Sequence, residues 1–269
     1  MGQIVNRLLT DTNNFIINGD MVHWQRGEGL INNVTISGSS NLYKQADRFV
    51  YYMNRSGSDV GLTFTKQTDV PAGTSLTYSA RATSNFSTAF GATNATLFPI
   101  YQRIEGTTVS QLQPGQDAWI SMYIKSSTTA TLPIALMKMN TSNIEEQSYF
   151  WNESFVANVW KRVYKKITLP LTTILKNTGT SFYITVGQCS GTGYSSYSTG
   201  AGDSWDATAT RQLRNASSTN WADTSGNWIQ VTGMMMSDQP HTSFSLCGKS
   251  PLNELALCQR YYETVAGTN

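Results

Sequence analysis

Apolar and polar residues alternate with a period of two along most of this chain. Leu76, Tyr78 and Ala80 fall on one side of an extended run, with Thr77, Ser79 and Arg81 on the other. That period predicts a half-buried strand. Residues 118–125 repeat it, with Trp119, Ser121 and Tyr123 against Ala118, Ile120, Met122 and Ile124. Further strands are predicted over 47–53, 60–67, 97–104, 132–139, 160–169, 182–188 and 228–235, and a last one over 242–247. Residues 140–159 read as a gap, and 27–44 as loop, short strand at Val34-Thr35-Ile36, loop. Near the start, Phe15-Ile16-Ile17 and Met21-Val22-His23-Trp24 read as strands joined at Asn18-Gly19, a pair that supports positive φ and a tight turn. Gln113-Pro114-Gly115-Gln116 is a turn in which Pro presets φ and Gly accepts a positive one.

The period changes at both ends. Ile4, Leu8 and Leu9 have helical spacing, and residues 1–14 read as an arm before the domain. Ser250-Pro251 has a capping hydroxyl followed by Pro at the first helical position, so 248–269 reads as a short helical segment. Leu252, Leu255 and Gln259–Tyr262 fall near one face of it. Between the ends, 15–247 is one strand after another, the habit of an all-β sandwich.

Composition agrees. Ser, Thr, Asn and Gly are abundant, which suits turns and polar strand faces and disfavours long helices. Charged residues are 13% with a net charge of +2, and no basic tract stands out, so a nucleic-acid partner is not expected. No window is long and apolar enough to span a membrane, and Met1–Leu9 lacks the apolar core of a signal peptide. Synthesis and folding in a reducing cytoplasm are therefore expected. Cys189, Cys247 and Cys258 form no disulfide pattern.

Candidate chemistry is sparse. Of two histidines, His23 reads as structural and His241, after Pro240, as solvated. Glu145, Glu146 and Glu153 are the best candidates for a glycosidase pair, although adjacent Glu145-Glu146 also fits a solvated turn. No Cys or His spacing suggests zinc, and Asp20 alone does not assemble a calcium site, so no metal and no cofactor are expected. The chain reads as a binder rather than an enzyme. Residues 190–228 break the strand pattern with Gly, Ser and Thr around Tyr194, Tyr197, Trp205 and Trp221, flanked by Asp203, Asp206, Asn220 and Asp223. A connection this long is usually functional or disordered. Aromatic faces stack on sugar C–H patches while planar polar groups grip hydroxyls, so these four aromatics are the candidate glycan contacts. The alternative is that Trp221 and Trp228 fold back onto the core, as Trp often does. In Tyr149-Phe150-Trp151, alternation buries either Phe150 or its neighbours.

Three segments carry a resemblance. Asn18-Gly19-Asp20-Met21 with Trp24-Gln25-Arg26-Gly27, then Ala46-Asp47-Arg48-Phe49, then Glu254-Leu255 with Cys258-Gln259-Arg260-Tyr261-Tyr262 occur in order. Together they resemble a family of bacteriophage virion proteins with a jelly-roll domain similar to carbohydrate-binding modules. The family's Ala-Asp-Arg-Trp has Phe49 here in place of Trp. The central layout from Gln102 to Pro170 resembles jelly-roll carbohydrate-binding modules as well. The resemblance implies an all-β jelly-roll sandwich in a fibre, tail or capsid-decoration subunit. It implies other virion proteins as partners through the arm, a homotrimer, and contact with host-surface polysaccharide. A purely architectural capsid cement or tail adaptor is the competing expectation, and a glycan depolymerase a third. Asp47, Arg48 and Arg260 read as structural clamps.

Overall fold

A computed structural model of the chain describes residues 13–27, 29–32, 38–42, 45–55, 61–86, 95–140, 142, 145–191, 202–207 and 213–263. Its strands are β1 (Gly29–Asn32), β2 (Gly38–Leu42), β3 (Phe49–Arg55), β4 (Gly61–Gln67), β5 (Ser79–Ser84), β6 (Ala95–Glu105) and β7 (Asp117–Ser126). They continue as β8 (Ala130–Met139), β9 (Glu145–Phe155), β10 (Lys161–Thr168), β11 (Thr180–Val186), β12 (Cys189–Ser190), β13 (Trp205–Asp206) and β14 (Trp228–Ser237), and α1 (Pro251–Glu263) follows. The first sheet runs β1-β4-β5-β14-β7-β10 and the second β13-β9-β8-β11-β6-β3-β2, with β12 beside β6. The chain passes from sheet to sheet between β1 and β2, β3 and β4, β5 and β6, β6 and β7, β7 and β8, at β9–β10–β11, and between β13 and β14. The protein is an all-β jelly-roll sandwich.

Alternation sets the layers. Ala118, Ile120, Met122 and Ile124 of β7 face Phe182, Ile184 and Val186 of β11 across the interior, and Leu132, Ile134 and Leu136 of β8 join them. Each such side chain contributes about 1.5–3 kcal/mol when buried. The turn at 113–116 closes by a 3.1 Å bond from Gln116 N to Gln113 O, with Gly115 at φ 75°.

The second sheet is apolar on its outer face too. Val50, Phe98, Tyr101, Met137, Phe150 and Tyr183 form a second cluster there, with Leu213 lying on it. This explains β9, which falls in the predicted gap. Its Phe150 is buried in the outer cluster while Tyr149 and Trp151 are buried in the inner one, so no period of two shows.

Other predicted elements differ. Residues 13–27 form no strand; Asn18 takes φ 58° and Met21 φ 59°, so the segment folds into turns along β14. It is held there by Phe15 N to Met236 O at 2.8 Å and Met234 N to Gly19 O at 2.9 Å. Residues 242–247 are irregular. The strand predicted at 34–36 and the arm through residue 12 lie outside the described residues. Helix α1 starts as predicted, with Asn253 N donating to Ser250 Oγ at 3.3 Å. It buries Glu254 and Cys258, however, while Leu252 is 76% exposed.

Glu254 is turned inward because its carboxylate accepts the backbone N–H groups of Asn18 and Gly248. Asn18 in turn donates to the carbonyls of His23 and Asp47, both at 2.9 Å, and accepts His23 N at 3.0 Å. Asp47 clamps Gln25 through its backbone N–H (3.0 Å) and side-chain amide (2.8 Å). The three sequence segments that carry the resemblance thus meet in one knot. Arg260 reaches Glu105 at 3.7 Å.

Gly19 sits so close to β14 that an added Cβ would lie 2.0 Å from Met234 O, a backbone atom that cannot turn aside. Gly19→Ala is expected to destabilise the fold by about 1–3 kcal/mol. Urea unfolding should show a lower midpoint with an unchanged slope; an unaltered midpoint would contradict this packing.

Candidate functional site

Of the predicted aromatic contacts, the described Trp205 and Trp221 do not share a surface. Tyr194 and Tyr197 lie outside the described residues. Trp221 begins a 3-10 turn over 221–223, is 1% exposed, and donates its indole N–H to Gly187 O at 2.7 Å. It is a core residue and not a glycan contact: an indole with its N–H satisfied gains most by leaving water. Trp205 lies in β13 against the edge of β9, its ring 5.6 Å from that of Tyr149 and its N–H on Thr168 O at 2.8 Å. Beside it Lys165 pairs with Asp203 at 2.5 Å. Burial pulls the Lys165 ammonium down, but the Asp203 carboxylate outweighs it and leaves its pKa raised. Trp228, half-buried, opens β14 as predicted.

Arg214 pins the connection from within, donating to Ser190 Oγ at 3.0 Å and to Ser218 O at 2.5 Å. Burial lowers its pKa. Leu213 beside it covers the second sheet.

A pocket lies at the end of that covered face. Tyr52 stacks on Phe98 (5.0 Å), Phe98 meets Tyr101 edge-on (6.4 Å), and Tyr101 meets Tyr183 edge-on (5.1 Å). The ladder crosses β3, β6 and β11 and ends in a pocket of about 340 Å³ lined by Arg103, Met139, Glu145, Thr178, Gly179, Thr180 and Tyr183. Tyr183 donates its hydroxyl to Glu145 Oε1 at 2.7 Å. The Arg103 guanidinium donates to the Tyr101 hydroxyl, 5.7 Å from that ring's centroid. On the same face of β11 the hydroxyls of Ser181 and Thr185 are buried with no partner among the described residues. Buried hydroxyls normally bond to protein or water.

Sequence reasoning placed Glu145 with Glu146 and Glu153. A register shift between Lys138 and Met139 pairs Met139 with Glu145 and turns Glu145 to the outer face. Glu146 instead meets Lys138, whose side chain is fully buried, and Glu153 meets Lys161 at 2.6 Å. The three carboxylates hold three different partners, and Glu145 is the one acid among the pocket's lining residues. Tyr183 and Arg103 were missed because they sit as single residues inside ordinary alternating strands. Among the described residues, no group of three or more His, Cys, Asp and Glu side chains could hold a metal ion.

His241 is buried, not solvated. Its Nε2 lies 2.6 Å from Ser121 Oγ and its Nδ1 2.8 Å from Ser237 Oγ. Ser237 donates its hydroxyl to Gln239 O at 2.7 Å, so Nδ1 carries the proton and Ser121 donates to Nε2. Ser121 and His241 are both buried, and the third group is a hydroxyl where an activated serine would have a carboxylate. Burial lowers the His241 pKa, the Arg162 charge adds to this, and the Gln239 carbonyl opposes it.

No protein-family model matches this chain, and no curated protein does. Among solved structures it is similar to the enzymatically active domain of tailspike protein 4 of bacteriophage CBA120 (14% identity, TM-score 0.43), over 83% of this chain and 21% of that one. This chain therefore spans about a fifth of that tailspike chain. It is similar to a CBM4 structure (12%, TM-score 0.36; 82% and 98% covered). It is also similar to the CBM22-1 xylan-binding domain of Paenibacillus barcinonensis Xyn10C (8%, TM-score 0.34; 78% and 91%).

Two outcomes are expected. Trp221→Ala should cost about 3–5 kcal/mol of stability, as core Trp truncations do, read by thermal unfolding; a loss below about 1 kcal/mol would return Trp221 to the surface. For His241 the folded pKa lies below the unfolded value, so its contribution is fully present above about pH 6.5 and is lost progressively as pH falls from there through the lower folded value. His241→Gln should flatten the fall in stability between about pH 7 and 5; parallel pH curves for the two proteins would contradict the buried neutral ring.

Proposed function

We propose that this chain is a glycan-recognition domain of a bacteriophage virion, binding a host-surface glycan without cleaving it. The observation that carries the reading is the pocket beside Tyr183, Glu145 and Arg103 at the end of an aromatic ladder. An aromatic edge, a carboxylate that accepts from hydroxyls and a planar guanidinium donor are the groups that orient a sugar ring. One acid in the pocket suits binding, since glycosidic cleavage uses two. The virion assignment rests on the resemblance, and the meeting of all three motif segments around Asn18, Asp47 and Glu254 supports it. The docking arm and the trimer rest on the resemblance alone.

The test begins with purified protein on an array of bacterial surface glycans, followed by calorimetry on the best ligand. Arg103→Ala and Glu145→Gln should each weaken binding about tenfold, the loss of one charge-assisted contact, with unfolding midpoints unchanged. Saturating soluble protein should slow phage adsorption. An array without a ligand, together with unaltered adsorption, would leave an architectural role as the better account.

A further inference from the structure

The outer face of the first sheet carries a different constellation. Register places Arg81 of β5 opposite Gln230 of β14, and Gln230 opposite Lys125 of β7. Lys161 of β10 faces Ile124, so Trp160 flanks Lys125. The row crosses four strand positions, about 14 Å at the usual interstrand spacing. Trp228 and Arg162 lie on the same face, to either side of it.

Three cation–aromatic contacts sit on this face. The Arg81 guanidinium is 4.2 Å from the Trp228 ring centroid, Lys125 Nζ 5.8 Å from that of Trp160, and the Arg162 guanidinium 5.1 Å from that of Tyr164. Trp160 and Trp228 are half-buried, and Arg162 and Tyr164 are exposed.

At the centre stands Asp69, on the β4–β5 connection. Its carboxylate accepts Lys125 Nζ at 2.8 Å and Trp160 Nε1 at 3.1 Å. Its carbonyl is fixed from below by the buried Gln230 amide (2.9 Å) and Ser79 hydroxyl (2.7 Å). Gln230 also accepts Arg81 Nε at 2.9 Å. The carboxylate is thus pre-positioned by buried groups, and its side chain remains 40% exposed. Supporting bonds of this kind are what a recognition site needs to hold its geometry.

Charge decides the ligand. Arg81, Lys125 and Arg162 lie on this face with one carboxylate, Asp69, which Lys125 pairs with, while Arg162 donates to the His241 carbonyl at 3.3 Å. The neighbouring cations of β10 are matched elsewhere, Lys161 with Glu153, Lys165 with Asp203 and Lys166 with Asp117. We propose that this face binds an acidic polysaccharide segment, with Arg81 and Arg162 meeting its carboxylates, Asp69 accepting from its hydroxyls, and the two indoles packing against its rings. The site is separate from the Tyr183 pocket and does not depend on it.

The test uses the full chain, with polygalacturonate as acidic probe, pullulan as neutral comparator and polyglutamate as a non-sugar polyanion, in affinity electrophoresis and calorimetry. Polygalacturonate should bind and weaken as salt rises, and pullulan should not bind at this face. Arg81→Gln with Arg162→Gln should weaken polygalacturonate about tenfold. Trp160→Phe, which keeps a ring but removes the donor to Asp69, should weaken it less. Arg103→Ala should leave it unchanged. Circular dichroism and unfolding midpoints check that each variant is folded, and Arg162→Gln alone, at an exposed position, serves if the double variant is not. Polyglutamate binding as tightly as polygalacturonate would reduce the site to a charge patch and overturn the proposal. So would an absence of polygalacturonate binding, or a loss caused by Arg103→Ala and not by the Arg81 and Arg162 changes.

Discussion

The fold depends on the hydrogen bonds that close around Asn18. A side chain at φ 58° that both donates and accepts is a narrow requirement. Asparagine meets it because its amide carries both functions and it tolerates the left-handed region. The consequence is long-range. Asn18 ties the start of the domain to Asp47 just before β3, and through its own N–H to Glu254 on α1. Gln102, on the interior face of β6, holds Ile17 from the other side, accepting its N–H at 2.9 Å and donating to its carbonyl at 2.7 Å. Segments far apart in sequence are thereby joined at one end of the sandwich. Glu254 is the costly member: burial raises its pKa, while the N–H groups of Gly248 and Asn18 pull it back. A buried carboxylate is tolerated where fixed donors replace water.

The second constraint is that the second sheet is buried on both faces. Sandwich sheets ordinarily leave one face to water. Here the outer face carries an aromatic ladder, and Leu213, held in place by Arg214, lies on it. That cover removes most of the face from any ligand and leaves access at the Arg103–Glu145 end. The first sheet keeps the ordinary arrangement. Its outer residues are mostly polar or aromatic, and Gly233, at φ 61° where the register of β14 shifts, leaves room for the Tyr123 ring.

The same asymmetry decides what was legible in the sequence. Strands of the first sheet, β4, β7 and β10, follow the period of two because one side meets water. Strand β9 was hidden by its two buried faces and by the polar Glu145-Glu146-Gln147 at its start. The motif segments were visible as motifs, but their roles are three-dimensional. Nothing in Glu254-Leu255 says that the acid points inward and the leucine is only half-buried. The pocket was illegible for a similar reason. Arg103 and Tyr183 come from different strands, and Glu145 joins them only because the β8–β9 register slips at Met139. His241 looked solvated after Pro240, and its burial follows from two serines on neighbouring strands that no local pattern links.

The long connection before β14 then has a physical purpose apart from recognition. A free sheet edge is a template for unwanted pairing. Strand β9 would present such an edge, and β13 pairs with it there, with Trp205 lying against Tyr149 and reaching Thr168. Strand β10, at the edge of the first sheet, is guarded instead by charge, with Lys161, Arg162, Lys165 and Lys166 along it. Farther on, Leu213 covers the outer face and Trp221 fills the core beside Gly187. One connection therefore closes an edge, roofs a face and plugs the interior. Its Trp205 and Trp221 serve edge protection and core burial, and that moves the search for ligand contacts to side chains held by strands.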